Sequence, residues 1–287
     1  MLKRAGSLAF ILVTLFFFFV MPLRIVAANE LTALPLDLNY DAQNQQRIDQ
    51  FLKSNKGGVA VFDADGTLWA DDVGEAFFRW LIAARKLKNV NYNQNIYAEY
   101  EKRVAQDKAA GYAWAVTMMA GLAESDVKRW AAEFFANNFM TRVYKPQRAL
   151  ISRLKRDGFK VWVISASNRW ILQAASRYIG VDASQIIGID LVVKNGVLTN
   201  QLHGPVTFRE GKVKGIELYV KTRPLFAAGD SDGDQQMLEY ASKLSVFIKH
   251  DPNQNDTMTA LAKKDNWITQ YFPLLQPWQA NTNPAPQ

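Results

Sequence analysis

The sequence predicts an α/β fold: a parallel sheet flanked by helices and interrupted by one wholly helical insertion. Three observations predict it. Short apolar runs at 59–62, 161–164, 224–228 and 245–248 alternate with stretches of helical periodicity, the order expected of a parallel sheet with right-handed crossovers. Between the first two runs, residues 72–138 turn Ala-rich and aromatic-rich, with no strand pattern. Three of the runs also lead into polar turns at what would be the carboxyl edge of the sheet, where open α/β sheets build their sites.

Taken in order, residues 1–28 read as an export signal. Lys3 and Arg4 precede an apolar stretch at 8–21, and Val26-Ala27-Ala28 supplies small residues for cleavage. About 14 apolar residues fall short of the roughly 20 that span a bilayer; an uncleaved anchor is the alternative. The core is expected over 29–71 and 142–275. Residues 42–54 pattern as a helix with Ile48, Phe51 and Leu52 on one side, and Gly57-Gly58 ends it before the first strand. Phe77, Phe78, Trp80 and Leu81 recur at helical spacing, as do Tyr97, Tyr100 and Val104, so 72–141 is read as a separate helical unit. Residues 146–156 form a helix closed by Asp157-Gly158; 169–179 form another, stopped by Gly180. Asn195-Gly196 between 190–193 and 197–201 is a hairpin signal. Helices follow at 212–220 and 234–242, and the tail from 276 to 287, rich in Pro, Asn and Gln, is expected to be disordered.

Composition narrows the chemistry. The 287 residues include no Cys and two His, His203 and His250, so thiolate catalysis, Cys-held zinc and multi-His metal sites are excluded. Carboxylates, hydroxyls and amines remain. The net charge of +7, less Lys3, Arg4 and Arg24 of the leader, leaves +4 scattered along the chain. No basic stripe of the kind that binds nucleic acid is visible.

The turns carry the candidate site. Asp63-Ala64-Asp65-Gly66-Thr67 leaves the first strand, Ser165-Ala166-Ser167-Asn168 the second, and Gly229-Asp230-Ser231-Asp232-Gly233-Asp234 the third. The last is no EF-hand loop, because Gly233 falls at position 4 where that loop needs Gly at position 6. Lys212 and Lys214 lie between them. Acidic clusters beside anion donors make sense if Mg²⁺ is held by carboxylates and meets a phosphoryl group. One carboxylate could attack that group and a second could move the protons.

With these motifs in this order, the chain resembles the haloacid dehalogenase superfamily, and within it the phosphoserine phosphatase-like branch. The resemblance runs from about residue 57 to 249 and includes a hairpin ending in Gly204-Pro205. It implies a Rossmann-like core with a helical (C1-type) cap at 72–141. It also implies Mg²⁺ as cofactor and a small phosphorylated metabolite as partner, while the leader predicts a soluble mature protein in the periplasm or outside the cell and the scattered charge predicts no nucleic-acid partner. By resemblance, Asp63 is the nucleophile and a metal ligand, and Asp65 the general acid/base with its carbonyl on the metal. Asp230 is a direct metal ligand, and Asp234 a ligand through water or a supporting partner. Thr67, Ser165 and Lys212 serve the phosphoryl group, Lys212 being preferred to Lys214 because it follows Gly211. Asp72, nine residues after Asp63, stands where these phosphatases place a Glu near a substrate amine. Arg79, Arg103 and Arg129 are candidates to bind a substrate carboxylate. Trp69, Tyr112 and Trp114 offer aromatic faces for a quaternary ammonium. Phosphoserine and phosphocholine are thus both expected substrates. A phosphotransferase on the same aspartyl-phosphate and a non-catalytic phospho-ligand binder are the alternatives. Neither histidine is assigned a role in the reaction.

Overall fold

A computed structural model describes residues 39–279; the expected leader lies outside them. Strand β1 (Gly58–Phe62) sits at the centre of a six-stranded sheet of order β3-β2-β1-β6-β7-β8. Its neighbours are β2 (Phe159–Asn168) and β6 (Phe226–Gly229); β3 (Ile186–Ile189) flanks β2, and β7 (Leu244–Lys249) and β8 (Ile268–Tyr271) extend the other side. Every pairing is parallel. The chain therefore winds outward in one direction after β1 and in the other after β6. That reversal opens a crevice at the carboxyl ends of β1 and β6.

Alternation on the pleat divides the core in two. Ala60 and Phe62 of β1 face the layer holding α1 (Ala42–Ser54) and α6 (Lys145–Arg156), through Ile48, Phe51, Leu52, Leu150, Ile151 and Leu154. Val59 and Val61 face α10 (Gln235–Tyr240) and α11 (Thr257–Lys264), through Met237, Leu238, Met258 and Ala262. Burial on both faces is why the strands read as continuous apolar runs.

Between β1 and β2 the chain forms α2 (Val73–Ala83), α3 (Ile96–Gln106), α4 (Lys108–Thr117) and α5 (Glu124–Asn138). Side chains of Asp72, Asn95 and Asp107 cap α2, α3 and α4, each accepting the backbone N–H of the third residue of its helix. The two segments entering and leaving this insertion are zipped together: Tyr144 N–H donates to Leu68 O at 2.9 Å and Ala70 N–H to Arg142 O at 3.1 Å. Away from that stem, Gly121 and Glu124 N–H groups donate to Leu198 and Gly196 of the hairpin β4 (Leu191–Lys194)–β5 (Val197–Leu202). Asn195 and Gly196 both take positive φ, 52° and 75°, as the tight two-residue turn requires.

The structure departs from the sequence pattern in four places. Strands β3 and β8 and helix α11 were not expected. Strand β2 runs on to Asn168, so Ser165 and Ser167 are strand residues. The helix expected at 169–179 divides into α7 (Arg169–Ala174) and α8 (Ser176–Ile179); the one at 212–220 is α9 (Glu210–Gly215) continued by a wider turn of helix over Ile216–Val220. Finally, the expected disordered tail does not begin at Gln276. Trp278 packs edge-on against Phe134 at 5.1 Å, its Nε1–H donates to Asn138 at 3.0 Å, and Gln276 O accepts from Arg142.

Candidate active site

The turns after β1 and β6, the end of β2 and the start of α9 converge on one cavity of about 310 Å³. Gly66, at φ +75°, lets the first turn fold back: Gly66 N–H donates to Trp69 O, and Thr67 and Leu68 N–H both reach Ala64 O. The same turn rests on a buried pair, since Gln147 Nε2 donates to Thr67 O while Gln147 Oε1 accepts from the Tyr40 hydroxyl.

Asp63 is 5% exposed and faces Lys212, which is 3% exposed. The Lys212 ammonium donates to Asp63 Oδ1 and, at 2.5 Å, to Asp234 Oδ1. Burial opposes the charge on Lys212, but Asp234 and Asp63 outweigh it and hold the ammonium above its usual range. Lys214, two residues on, is exposed, because the helix turns it away. Asp234 is buried and fully engaged: its Oδ2 accepts the N–H groups of Asp230 and Ser231 and the Ser231 hydroxyl. It therefore shapes the loop as well as facing Lys212.

Carboxylate oxygens of Asp63, Asp230 and Asp234 lie within 4.8 Å of one another. Burial first, and Asp234 next, push the Asp63 carboxyl well above the usual carboxylate range; burial likewise raises Asp230. Three carboxylates against one ammonium leave the cluster short of two positive charges. Hard oxygen donors with that charge suit a divalent cation such as Mg²⁺.

Asp65 stands beside this cluster with both oxygens held. Oδ1 accepts from Trp69 Nε1 at 2.8 Å and Val73 N at 2.7 Å; Oδ2 accepts from Ser167 Oγ at 2.7 Å and Ser165 Oγ at 3.1 Å. Burial raises its carboxyl while these four bonds pull it back, a balance suited to a group that both gives and takes a proton.

Of the residues singled out from sequence, Asp63, Asp65, Asp72, Ser165, Lys212 and Asp230 line the cavity. Thr67 does not: it is buried beneath, and its hydroxyl donates to Asp230 Oδ1 at 3.3 Å. Trp69 is fully buried against Phe135 and serves Asp65 rather than a ligand. Trp114 packs on Phe78 under Arg103. Only Tyr112 of the three expected aromatics reaches the cavity, joined by Phe78, Tyr100 and Phe208. None of Arg79, Arg103 and Arg129 reaches it; they lie over Tyr97, Trp114 and Trp130. Sequence reading gave no role to Ser167, Glu75 or His250, all of which line the cavity. Ser167, two residues beyond Ser165, shares the period of a strand, which was the available signal. His250 follows β7, and nothing local in the sequence distinguishes it.

Residues 60–239 match the family model of haloacid dehalogenase-like hydrolases. The chain belongs to that family. Its structural neighbours include phosphoserine phosphatase-like hydrolases. Family members generally use Mg²⁺, and the acidic triad provides oxygen donors for it here. A protein of unknown function from Bordetella pertussis Tohama I is 18% identical with a TM-score of 0.62, over 75% of this chain and 98% of that one. A functionally unknown protein from Anaerococcus prevotii DSM 20548 is 17% identical with a TM-score of 0.59, over 83% and 95%. A substrate-bound phosphoserine phosphatase is 19% identical with a TM-score of 0.44, over 68% and 87%. The first two are likenesses of fold. No curated protein matches the chain.

Proposed function

We propose that this hydrolase is an exported, Mg²⁺-dependent phosphatase of small phosphomonoesters whose far end carries a cation, phosphocholine being the best fit. The carrying observation is the composition of the cavity. It holds Asp63, Asp65, Ser165 and Lys212 together with Asp72 and Glu75 and the rings of Phe78, Tyr100, Tyr112 and Phe208. Among the described residues no ion pair joins Asp72 or Glu75 to a base: Asp72 accepts the Glu75 N–H, and Glu75 accepts the Tyr97 hydroxyl. Tyr112 meets Phe208 edge-on at 5.5 Å and Tyr100 meets Phe78 at 5.6 Å. Aromatic faces beside such carboxylates attract a desolvated ammonium by about 0.5–2 kcal/mol per ring.

The lining residues include no arginine, and their basic groups are Lys212 and His250. A phosphoserine carboxylate would therefore meet Asp72 and Glu75 with no partner, which argues for phosphocholine over phosphoserine.

In the first step an Asp63 oxygen attacks phosphorus, the ester P–O bond breaks, and Asp65 gives its proton to the departing alkoxide. In the second, Asp65 takes a proton from water, the oxygen attacks the acyl phosphate, and inorganic phosphate leaves with Asp63 restored. Lys212 neutralises charge between Asp63 and the phosphoryl oxygens, and Ser165 donates to one of them. Mg²⁺, held by Asp63, Asp230 and the Asp65 carbonyl with Asp234 in support, would supply the remaining positive charge against the phosphoryl group. The helical insertion at 72–141 acts as the cap, since it contributes Asp72, Glu75, Phe78, Tyr100 and Tyr112 to the lining. Export rests on the basic and apolar pattern of residues 1–28.

The test compares phosphocholine, phosphoethanolamine and phosphoserine by kcat/KM with Mg²⁺. The expected order is phosphocholine first, at least about tenfold above phosphoserine, from one to two rings' attraction. Asp63→Asn should remove all turnover. Phosphoserine as best substrate would overturn the pocket assignment, and an active Asp63→Asn the mechanism. The mass of the mature N-terminus checks cleavage of the leader.

A further inference from the structure

His250 stands outside every motif that located the site, yet it lies against one of its carboxylates. It follows β7, the strand next to β6, so the sheet brings it beside the Asp230 turn. Its Nδ1 is 2.9 Å from the carbonyl of Phe272, a partner that can only accept. That bond uses Nδ1–H and fixes the ring, so Nε2, 3.3 Å from Asp230 Oδ2, donates to it in the imidazolium form, which carries a proton on both nitrogens. The anchor is itself rigid. Phe272 N–H donates back to Lys249 O at 2.9 Å, and its ring stacks on Tyr144 at 5.1 Å and meets Tyr40 edge-on at 5.6 Å.

Asp230 is consequently held at both oxygens and seated in a space that Gly66 leaves open. Thr67 engages Oδ1, His250 engages Oδ2, and Gly66 leaves the space in which that carboxylate sits, since a Cβ there would fall 2.1 Å from Oδ2. Asp234, by contrast, has its orientation fixed by four donors of its own. Of the three clustered carboxylates, Asp230 is the one whose aim depends on a residue beyond the motifs.

We infer that His250 is a positioning residue for Asp230, clamped by the Phe272 carbonyl, and that it sets the affinity of the carboxylate cluster for a divalent cation. The inference rests on the reading of that cluster as the metal site. Groups that orient metal ligands typically govern affinity by about ten- to a hundredfold.

Calorimetric titration of the full chain with MgCl₂, without substrate, tests it, alongside thermal melts in EDTA. His250→Ala should weaken Mg²⁺ binding about tenfold or more, while His250→Gln, whose amide can still donate to Asp230, should recover most of the loss. Asp230→Asn is the reference for a lost ligand. Unchanged Mg²⁺ affinity in His250→Ala overturns the inference alone, whereas a wild-type chain that binds no Mg²⁺ overturns the metal reading with it. If His250→Ala does not fold, His250→Gln and His250→Asn decide: loss of binding in both, with wild-type melting in EDTA, refutes positioning by a donated bond.

Discussion

Gly66→Ala separates two effects that a glycine in a catalytic turn usually combines. The residue sits at φ +75°, where any side chain is strained, and a Cβ built there lies 2.1 Å from Asp230 Oδ2 and 2.6 Å from its Cγ. The backbone part costs about 1–2 kcal/mol. The steric part requires the Asp230 carboxylate to retreat by more than an ångström to reach ordinary contact at about 3.5 Å, away from the cluster it shares with Asp63 and Asp234. Gly180, the left-handed residue closing α8 at φ +73°, has nothing within 4 Å of the point where a Cβ would stand. Gly180→Ala therefore carries the backbone cost without the clash. Thermal melts in EDTA should show both variants destabilised, Gly66→Ala the more because it adds the clash to the backbone cost. Calorimetry with MgCl₂ should leave Gly180→Ala at wild-type affinity and weaken Gly66→Ala by about tenfold or more, the range for a misplaced ligand shell. Equal Mg²⁺ affinity in Gly66→Ala and wild type would refute the argument that this glycine exists to seat Asp230.

Other outcomes follow from the charges. Burial, then the nearby Asp65, holds the Asp72 carboxyl well above the usual carboxylate range. A raised carboxyl stabilises the fold when protonated, fully below the ordinary carboxylate range, and that contribution is lost as pH rises through the folded value. Capture of an ammonium has the opposite sign because it needs the carboxylate. As pH rises through that range, the melting temperature of the ligand-free protein should fall and KM for phosphocholine should fall too; Asp72→Asn should flatten both trends, and a KM profile identical to wild type would remove Asp72 from the cation site. Lys212→Met leaves Asp63 and Asp234 buried without their ammonium, a loss of about 3–5 kcal/mol for a broken buried pair. Melts in EDTA should show that loss, kcat with Mg²⁺ should drop by at least about a hundredfold, and full activity in this variant would exclude Lys212 from the phosphoryl site.

Much of this arrangement was legible in the chain. The four apolar runs named the inner strands because strands buried on both faces carry no polar alternation, and the turns after three of them named Asp63, Asp65, Ser165 and Asp230. The edge of the sheet was less legible. Strands β3 and β8 are four residues each, and strand and helix patterns over so short a span look alike. The aromatic residues were misassigned for a related reason: helical spacing shows that Trp69, Tyr112 and Trp114 share an apolar environment, without showing which face of the insertion meets the cavity.

The sequence by itself determined the chemistry. With no thiol and two imidazoles in 287 residues, carboxylates, amines and hydroxyls were the groups left for a reaction, and their spacing around strand ends is a local property that survives in one dimension. Tertiary structure alone decided which groups meet. It buried Lys212 between Asp63 and Asp234 while leaving Lys214 exposed, turned Trp69 inward to hold Asp65, and brought Tyr100 and Phe208 into the cavity that Asp72 and Glu75 line. It also brought His250 to Asp230, 20 residues away along the chain. These contacts depend on how separate elements pack, and packing is set by the whole core at once rather than by any segment's own pattern.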